Sequence, residues 1–120
     1  MKLLTKEIAN KLPPLYSQEN KGTDAIVYVK FFDPTSQWTW FATEANAVLK
    51  DGRETSLKEA FEHPDDIADV MFFGFVIGVE KELGYFNLTE LKSWRGTLNL
   101  GIERDIHFTP KPLKEIRGWE

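Results

Sequence analysis

Val70–Leu91, VMFFGFVIGVEKELGYFNLTEL, is the stretch whose reading decides the fold. Met71, Phe73, Phe75 and Ile77 alternate with Phe72, Gly74, Val76 and Gly78, so both faces of the first half are largely apolar. A strand of that kind belongs inside a sheet, covered on both sides. Gly78-Val79-Glu80 reads as a turn, and Glu82 to Phe86 as the returning strand. Asn87 is placed to cap a helix, with Glu90 three residues on completing a capping box; the helix would run to Ser93 or Trp94 and end at Arg95-Gly96. Gly74 and Gly84 in mid-strand predict a bulge or a close approach, with Trp38 or Trp40 of a facing strand filling the space.

Working outward, Ala25–Phe32 (AIVYVKFF) carries the β-branched and aromatic residues of a strand. Asp33-Pro34-Thr35-Ser36 suits a type I turn, and Gln37–Thr43 (QWTWFAT) returns as its partner. Trp38, Trp40 and Ala42 share one face of that strand; Thr39, Phe41 and Thr43 share the other. At the amino terminus Leu3–Leu12 reads as a short helix, with Thr5 as cap, Leu4, Ile8 and Leu12 at helical spacing, and Pro13-Pro14 as its stop. Leu15–Asp24 reads as a surface loop. The segment 45–67 reads as an excursion between two hairpins, with a turn at Lys50–Arg53. Within it Ser56–Glu59 has capping-box spacing, and the short helix it would start closes at His63-Pro64. Ile102–Phe108 (IERDIHF) reads as a last strand or extended edge. Pro112 would open a closing helix whose Leu113, Ile116 and Trp119 dock on the core. The expected fold class is α+β: one domain over residues 1–120, with a four- or five-stranded, mostly antiparallel sheet built from two hairpins and short helices packed on one face.

Composition bounds the function. The chain has 120 residues, 42% of them hydrophobic, including nine Phe, four Trp and three Tyr. There is no cysteine, which excludes disulfides and thiolate metal sites. The longest apolar segment, Val70–Val79, is far short of the ~20 residues that span a bilayer. The opening MKLLTKEIANKL has no uninterrupted apolar core and does not read as a secretory signal. A cytoplasmic location without membrane contact is therefore expected. A net charge of −4 disfavours nonspecific nucleic-acid binding, which needs clustered Lys and Arg.

Three constellations carry chemistry. Glu80, Glu82, Glu103 and Asp105 are carboxylates that, meeting across a sheet, would bind Mg2+ or do acid–base work. The plainer reading is a solvated hairpin end and strand edge, since no spacing here is a ligand signature. Asp105 and His107 at strand spacing would let a carboxylate orient an imidazole, but no nucleophile accompanies them. With His63 in a loop as the only other histidine, no metal site and no cofactor are expected. The third set is aromatic. Trp38, Trp40, Trp94, Tyr28 and Tyr85, with Lys30, Lys92 and Arg95, would stack bases and meet phosphates. The phenylalanines alone suffice for a core, so some of this aromatic surface should remain for a binding patch. Trp38, Trp40, Tyr85, Glu82 and Arg95 are the expected binding residues.

Four stretches carry a resemblance: MKLLTKEIANKLPPLYSQE, VKFFDPTSQWTWFATE, FFGFVIGVEKELGYFNLTEL and IERDIHFTPKPL. Together they resemble a family of small uncharacterised proteins encoded mostly on bacterial plasmids, conjugative elements and phages, over nearly the whole chain. The segment 45–67 departs from that pattern in being longer or more variable. The resemblance implies a setting and no catalytic residue. The expected function is a non-enzymatic accessory protein of a mobile element that contacts a protein partner, with inhibition of a restriction or CRISPR effector as the sharper version. The alternatives are a metal-assisted hydrolase or nuclease using the acidic cluster, and a single-stranded nucleic-acid binder.

Overall fold

Thr5 starts the first helix. Its hydroxyl oxygen accepts the Ile8 N–H at 3.2 Å and caps α1 (Lys6–Lys11), which buries Ala9 and hands over to the Pro13-Pro14 stop. This computed structural model describes residues 1–119. The strand expected over Ala25–Phe32 is broken at Tyr28 into β1 (Ile26–Val27) and β2 (Val29–Phe32). The Asp33–Ser36 turn forms as expected, closed by the Ser36 N–H on the Asp33 carbonyl. It leads into β3 (Thr39–Leu49), paired with β2 so that Phe31 lies opposite Trp40 and Val29 opposite Ala42.

Here the expectation of an excursion from residue 45 is corrected, because β3 continues for eleven residues to Leu49. It then turns at Lys50–Arg53 into β4 (Glu54–Thr55), which folds back on Ala47 and Val48. Gly52 supplies the positive φ of that turn, +92°. The helix α2 (Glu59–Glu62) is shorter than expected, and Ser56 does not cap it; Leu57 beside it is buried all the same. Next come β5 (Ile67–Ile77) and β6 (Lys81–Asn87), turned at Gly78–Glu80. Asn87 then caps α3 (Leu88–Ser93), its side-chain oxygen accepting the Glu90 N–H at 2.7 Å. Only Glu103–Arg104 of the expected last strand forms one (β7), and Lys111–Pro112 form β8. Pro112 opens a single 310 turn, Leu113–Glu115, in place of the expected helix.

The sheet is six-stranded and antiparallel, in the order β6-β5-β3-β2-β7, with β4 on the free part of β3. A second sheet pairs β1 with β8. The architecture is thus larger than four or five strands in one sheet. As its two apolar faces required, β5 is interior, bonded to β3 and β6.

Each face of the sheet carries its own core. On one, Phe31, Phe72, Trp40 and Val70 pack under Leu3, Leu4 and Leu12 near α1, Leu57 near α2 and Leu91 of α3. Phe31 and Phe72 are fully buried, edge to face at 5.5 Å, each contributing roughly 1.5–3 kcal/mol through burial. On the other face Phe41 and Phe75 pack with Ala25, Val27, Leu113 and Ile116. Leu113 and Ile116 dock as expected, and Trp119 packs edge to face on Phe75. The helices lie on one face; the chain's tail and the segment before β1 cover the other.

A β-bulge joins fold to site. Between β3 and β5 the register slips after Ala42, leaving Thr43 as an extra residue. Gly74 sits opposite, and a Cβ there would overlap the Phe41 carbonyl oxygen. The close approach expected at Gly74 is therefore made by backbone, and the expectation of a tryptophan there is corrected: Trp38 packs against Gly78 instead. The space beside Gly84 is open. Uninterrupted alternation would set Glu44 beside Ala42 and Trp40. The bulge swaps the faces, so that Ala45 enters the Phe72 core and Glu44 pairs with Phe73 on the opposite side.

Candidate functional site

Glu44 sits at 4% exposure, and what holds it explains the loop above it. Its Oε1 accepts the Tyr16 N–H and its Oε2 the Gln18 N–H, both at 2.8 Å. The carboxylate gathers backbone donors from a segment nearly thirty residues upstream, as burying a charge requires. Gln18, also buried, completes the anchorage. Its amide donates to the carbonyls of Thr43 (2.8 Å) and Ile26 (2.9 Å), and its side-chain oxygen accepts the Ile26 N–H at 2.7 Å. Leu15–Asp24 is therefore pinned across the sheet and is more than a surface loop. Glu44 forms no ion pair among the described residues.

Beside Glu44 lies a cavity of about 340 Å3, mostly apolar, between this loop, the sheet and the tail. Phe73, Leu83 and Tyr85 form its sheet wall; Ala25, Leu113 and Trp119 close the far side. Its rim stands open. Tyr16, Leu83 and Tyr85 are 53%, 48% and 56% exposed. Tyr85 packs edge to face on Phe73 at 5.0 Å. Tyr16 is held at φ +75°, in the left-handed region that a tyrosine rarely adopts. Its hydroxyl faces Glu54, whose negative charge pushes the Tyr16 phenol above its ordinary value, with Tyr85 adding to it. An apolar cavity with a few convergent polar groups is the usual form of a binding site.

The residues expected to bind a partner are divided. Tyr85 is on this cavity. Glu82, on the opposite face of β6, sits in register with Val76 and, through it, with Trp40. Trp40 is 4% exposed, which corrects its expected place in a surface patch. It lies in a cluster with Trp38 (5.7 Å) and Trp94 (5.2 Å). The Trp94 indole N–H donates to Asp33 Oδ2 at 3.0 Å, fastening α3 to the first hairpin turn. Arg95 donates to the carbonyls of Lys92 and Trp94 at the end of α3. The expected base-stacking platform is thus largely consumed in packing. Lys30, expected to meet phosphate, pairs with Asp105 at 3.8 Å.

The acidic constellation does not converge. Glu80 and Glu82 lie at the β6 edge and Glu103 at β7, the other edge. Four strand spacings separate those edges, about 19 Å. Asp105 accepts the backbone N–H of His107 at 2.9 Å in a tight turn, so its bond is to the His107 backbone and not to the imidazole. Among the described residues, the one grouping close enough to share a cation is Glu59, Glu62 and His63 on α2. It is largely solvent-facing, and His63 Nδ1 already lies 2.5 Å from Glu59 Oε2.

Tyr16 and Glu44 are the site residues that sequence reasoning missed. Glu44 carried a faint signal, a lone acid continuing an aromatic strand; Tyr16, in a polar loop after two prolines, carried none. No helix among the described residues is long and apolar enough to cross a membrane. No match was found among curated proteins or among solved structures. A family profile described as "Protein of unknown function (DUF2958)" matches residues 3–116. That span takes in the loop, the bulged strand and β6 of the cavity, and the chain belongs to this DUF2958 family.

Proposed function

We propose that this is a non-enzymatic accessory protein of a mobile element that acts by binding a protein partner at the Tyr16–Leu83–Tyr85 rim. The partner's anchor is an Arg or Lys side chain. Its aliphatic stem would lie along Phe73 and Leu83, and its charge would meet Glu44 with the ring faces of Tyr16 and Tyr85 around it. The observation that carries this reading is the buried Glu44 carboxylate lining an aromatic-rimmed cavity, with no cation paired to it among the described residues. A hydrolase or nuclease built on Glu80, Glu82, Glu103, Asp105 and His107 finds no such support, because those residues lie on opposite edges of the sheet.

The resemblance to mobile-element proteins supplies the narrower reading, in which the partner is a restriction or CRISPR effector. Purification of the tagged protein from its host at native expression tests the contact. The wild type should retain a stoichiometric partner, and the paired substitution Tyr16→Ala with Tyr85→Ala should weaken it by about 2 kcal/mol or more, on the order of thirtyfold. Equal retention by both proteins would refute the site. Recovery of no partner would count against the function.

A further inference from the structure

The six-stranded sheet has two unequal edges. At one, β7 is two residues long, which blunts it. At the other, β6 is seven residues long, pairs among the described residues only with β5, keeps an unbroken register and contains no proline. The Gly78 N–H donates to the Glu80 carbonyl at 2.9 Å, which fixes the phase of the ladder. In an antiparallel pair the backbone groups alternate in direction. Those of Glu82, Gly84 and Phe86 therefore turn inward to β5, and those of Lys81, Leu83 and Tyr85 turn outward.

From this edge we infer that two copies of the chain associate through β6, antiparallel about a twofold axis at Gly84. In that register Leu83 of each copy lies opposite Tyr85 of the other, and both belong to the outward-facing set. Each such pair exchanges two backbone hydrogen bonds. Leu83 and Tyr85 are exposed apolar side chains on one face, and the pairing packs the outer flank of each against the other while the flank toward Phe73 stays with the cavity. Lys81 meets Asn87, so no like charges are opposed. At the axis two glycines face each other, and the space beside Gly84 is open, so nothing obstructs the approach. The two sheets would join into one, a closed isologous contact. It would also bring each copy's Leu83 and Tyr85 to the rim of the other's cavity. The dimer does not depend on what that cavity binds.

The chain lacks cysteine, which makes Gly84→Cys a clean probe. Across the axis the two introduced thiols form a non-hydrogen-bonded pair, the closer kind of cross-strand pair. Mild oxidation should give a covalent dimer on a non-reducing gel, and Glu80→Cys at the hairpin tip should not. Sedimentation of the wild type should reveal a concentration-dependent dimer. Leu83→Pro removes an N–H that the fold does not use and should weaken that dimer at least about tenfold, with unchanged circular dichroism. A wild type that stays monomeric up to about 1 mM would overturn the inference. So would a dimer that survives Leu83→Pro and leaves Gly84→Cys unlinked, since its interface must lie elsewhere.

Discussion

Gly74 lies so close under the Phe41 carbonyl oxygen that no side chain fits at that position. The contact sits at the β3 bulge, and the bulge decides which face Glu44 takes. One glycine thus links the interior of the sheet to the candidate site. Gly74→Ala must push β3 away from β5 or remove the bulge, and should cost about 3 kcal/mol or more in urea unfolding. Gly84→Ala, facing open space, should stay within about 0.5 kcal/mol of the wild type and serves as the control.

Glu44→Ala leaves the Tyr16 and Gln18 amides without acceptors. Each buried, unsatisfied donor costs about 1–3 kcal/mol, and the loop will open to find water before the sheet does. Hydrogen exchange should show protection falling first at Tyr16 and Gln18, with β5 amides little changed. Uniform loss across the sheet would mean that Glu44 supports the whole fold rather than the loop.

Asp33 accepts hydrogen bonds from the Thr35 hydroxyl (2.7 Å), the Thr35 N–H (2.8 Å) and the Trp94 indole, which together hold its carboxyl down to about 2. A carboxyl with a folded value below its unfolded one stabilises the fold above about 4. That contribution disappears as pH falls through about 2. Asp33→Asn should therefore lower stability at pH 7 and flatten its pH dependence between those values. Gly96 is part of the same arrangement. A Cβ there would stand 2.6 Å from Asp33 Oδ2, so Gly96→Ala should loosen the Trp94 contact and raise tryptophan fluorescence accessibility.

His63 gains a hydrogen bond and a favourable charge from Glu59, which raise it above 6.5. For a raised histidine the sign is reversed: its support of α2 is complete below the unfolded value and lost as pH rises through the folded one. In an NMR titration of the ring, Glu59→Gln should move the midpoint back down toward 6.5. An unchanged midpoint would show that the pair does not form in solution.

Much of the fold was legible because it is locally encoded. Thr5 and Asn87 announce their helices through side chains that reach their own first turns. Asp33–Ser36 fixes the first hairpin, and the two-faced apolarity of Met71–Ile77 marks the interior strand. What escaped is encoded at a distance. Beyond Thr43 the strand passes through Glu44, Ala45, Asn46 and Ala47, residues of low strand preference that only tertiary packing holds extended. Val27 and Val29 alternate as one strand would, yet β8 draws Val27 into a second sheet. The cavity needs the bulge, because uninterrupted alternation beyond Thr43 would turn Glu44 to the other face. The tryptophans looked like surplus aromatic surface; the Asp33–Trp94 bond that binds two of their elements together spans 61 residues.

A partner held at the rim around Tyr16 should leave the tryptophan hairpin free. Site-specific photo-crosslinking in the host addresses it most directly, with a benzophenone amino acid replacing Tyr16 in one protein and Glu82, on the opposite face, in another. Partner binding at the rim predicts one adduct mass from the Tyr16 position, distinct from a second copy of the chain, and no such partner adduct from Glu82, where any adduct is with a second copy. A partner adduct from Glu82 with none from Tyr16 would contradict it.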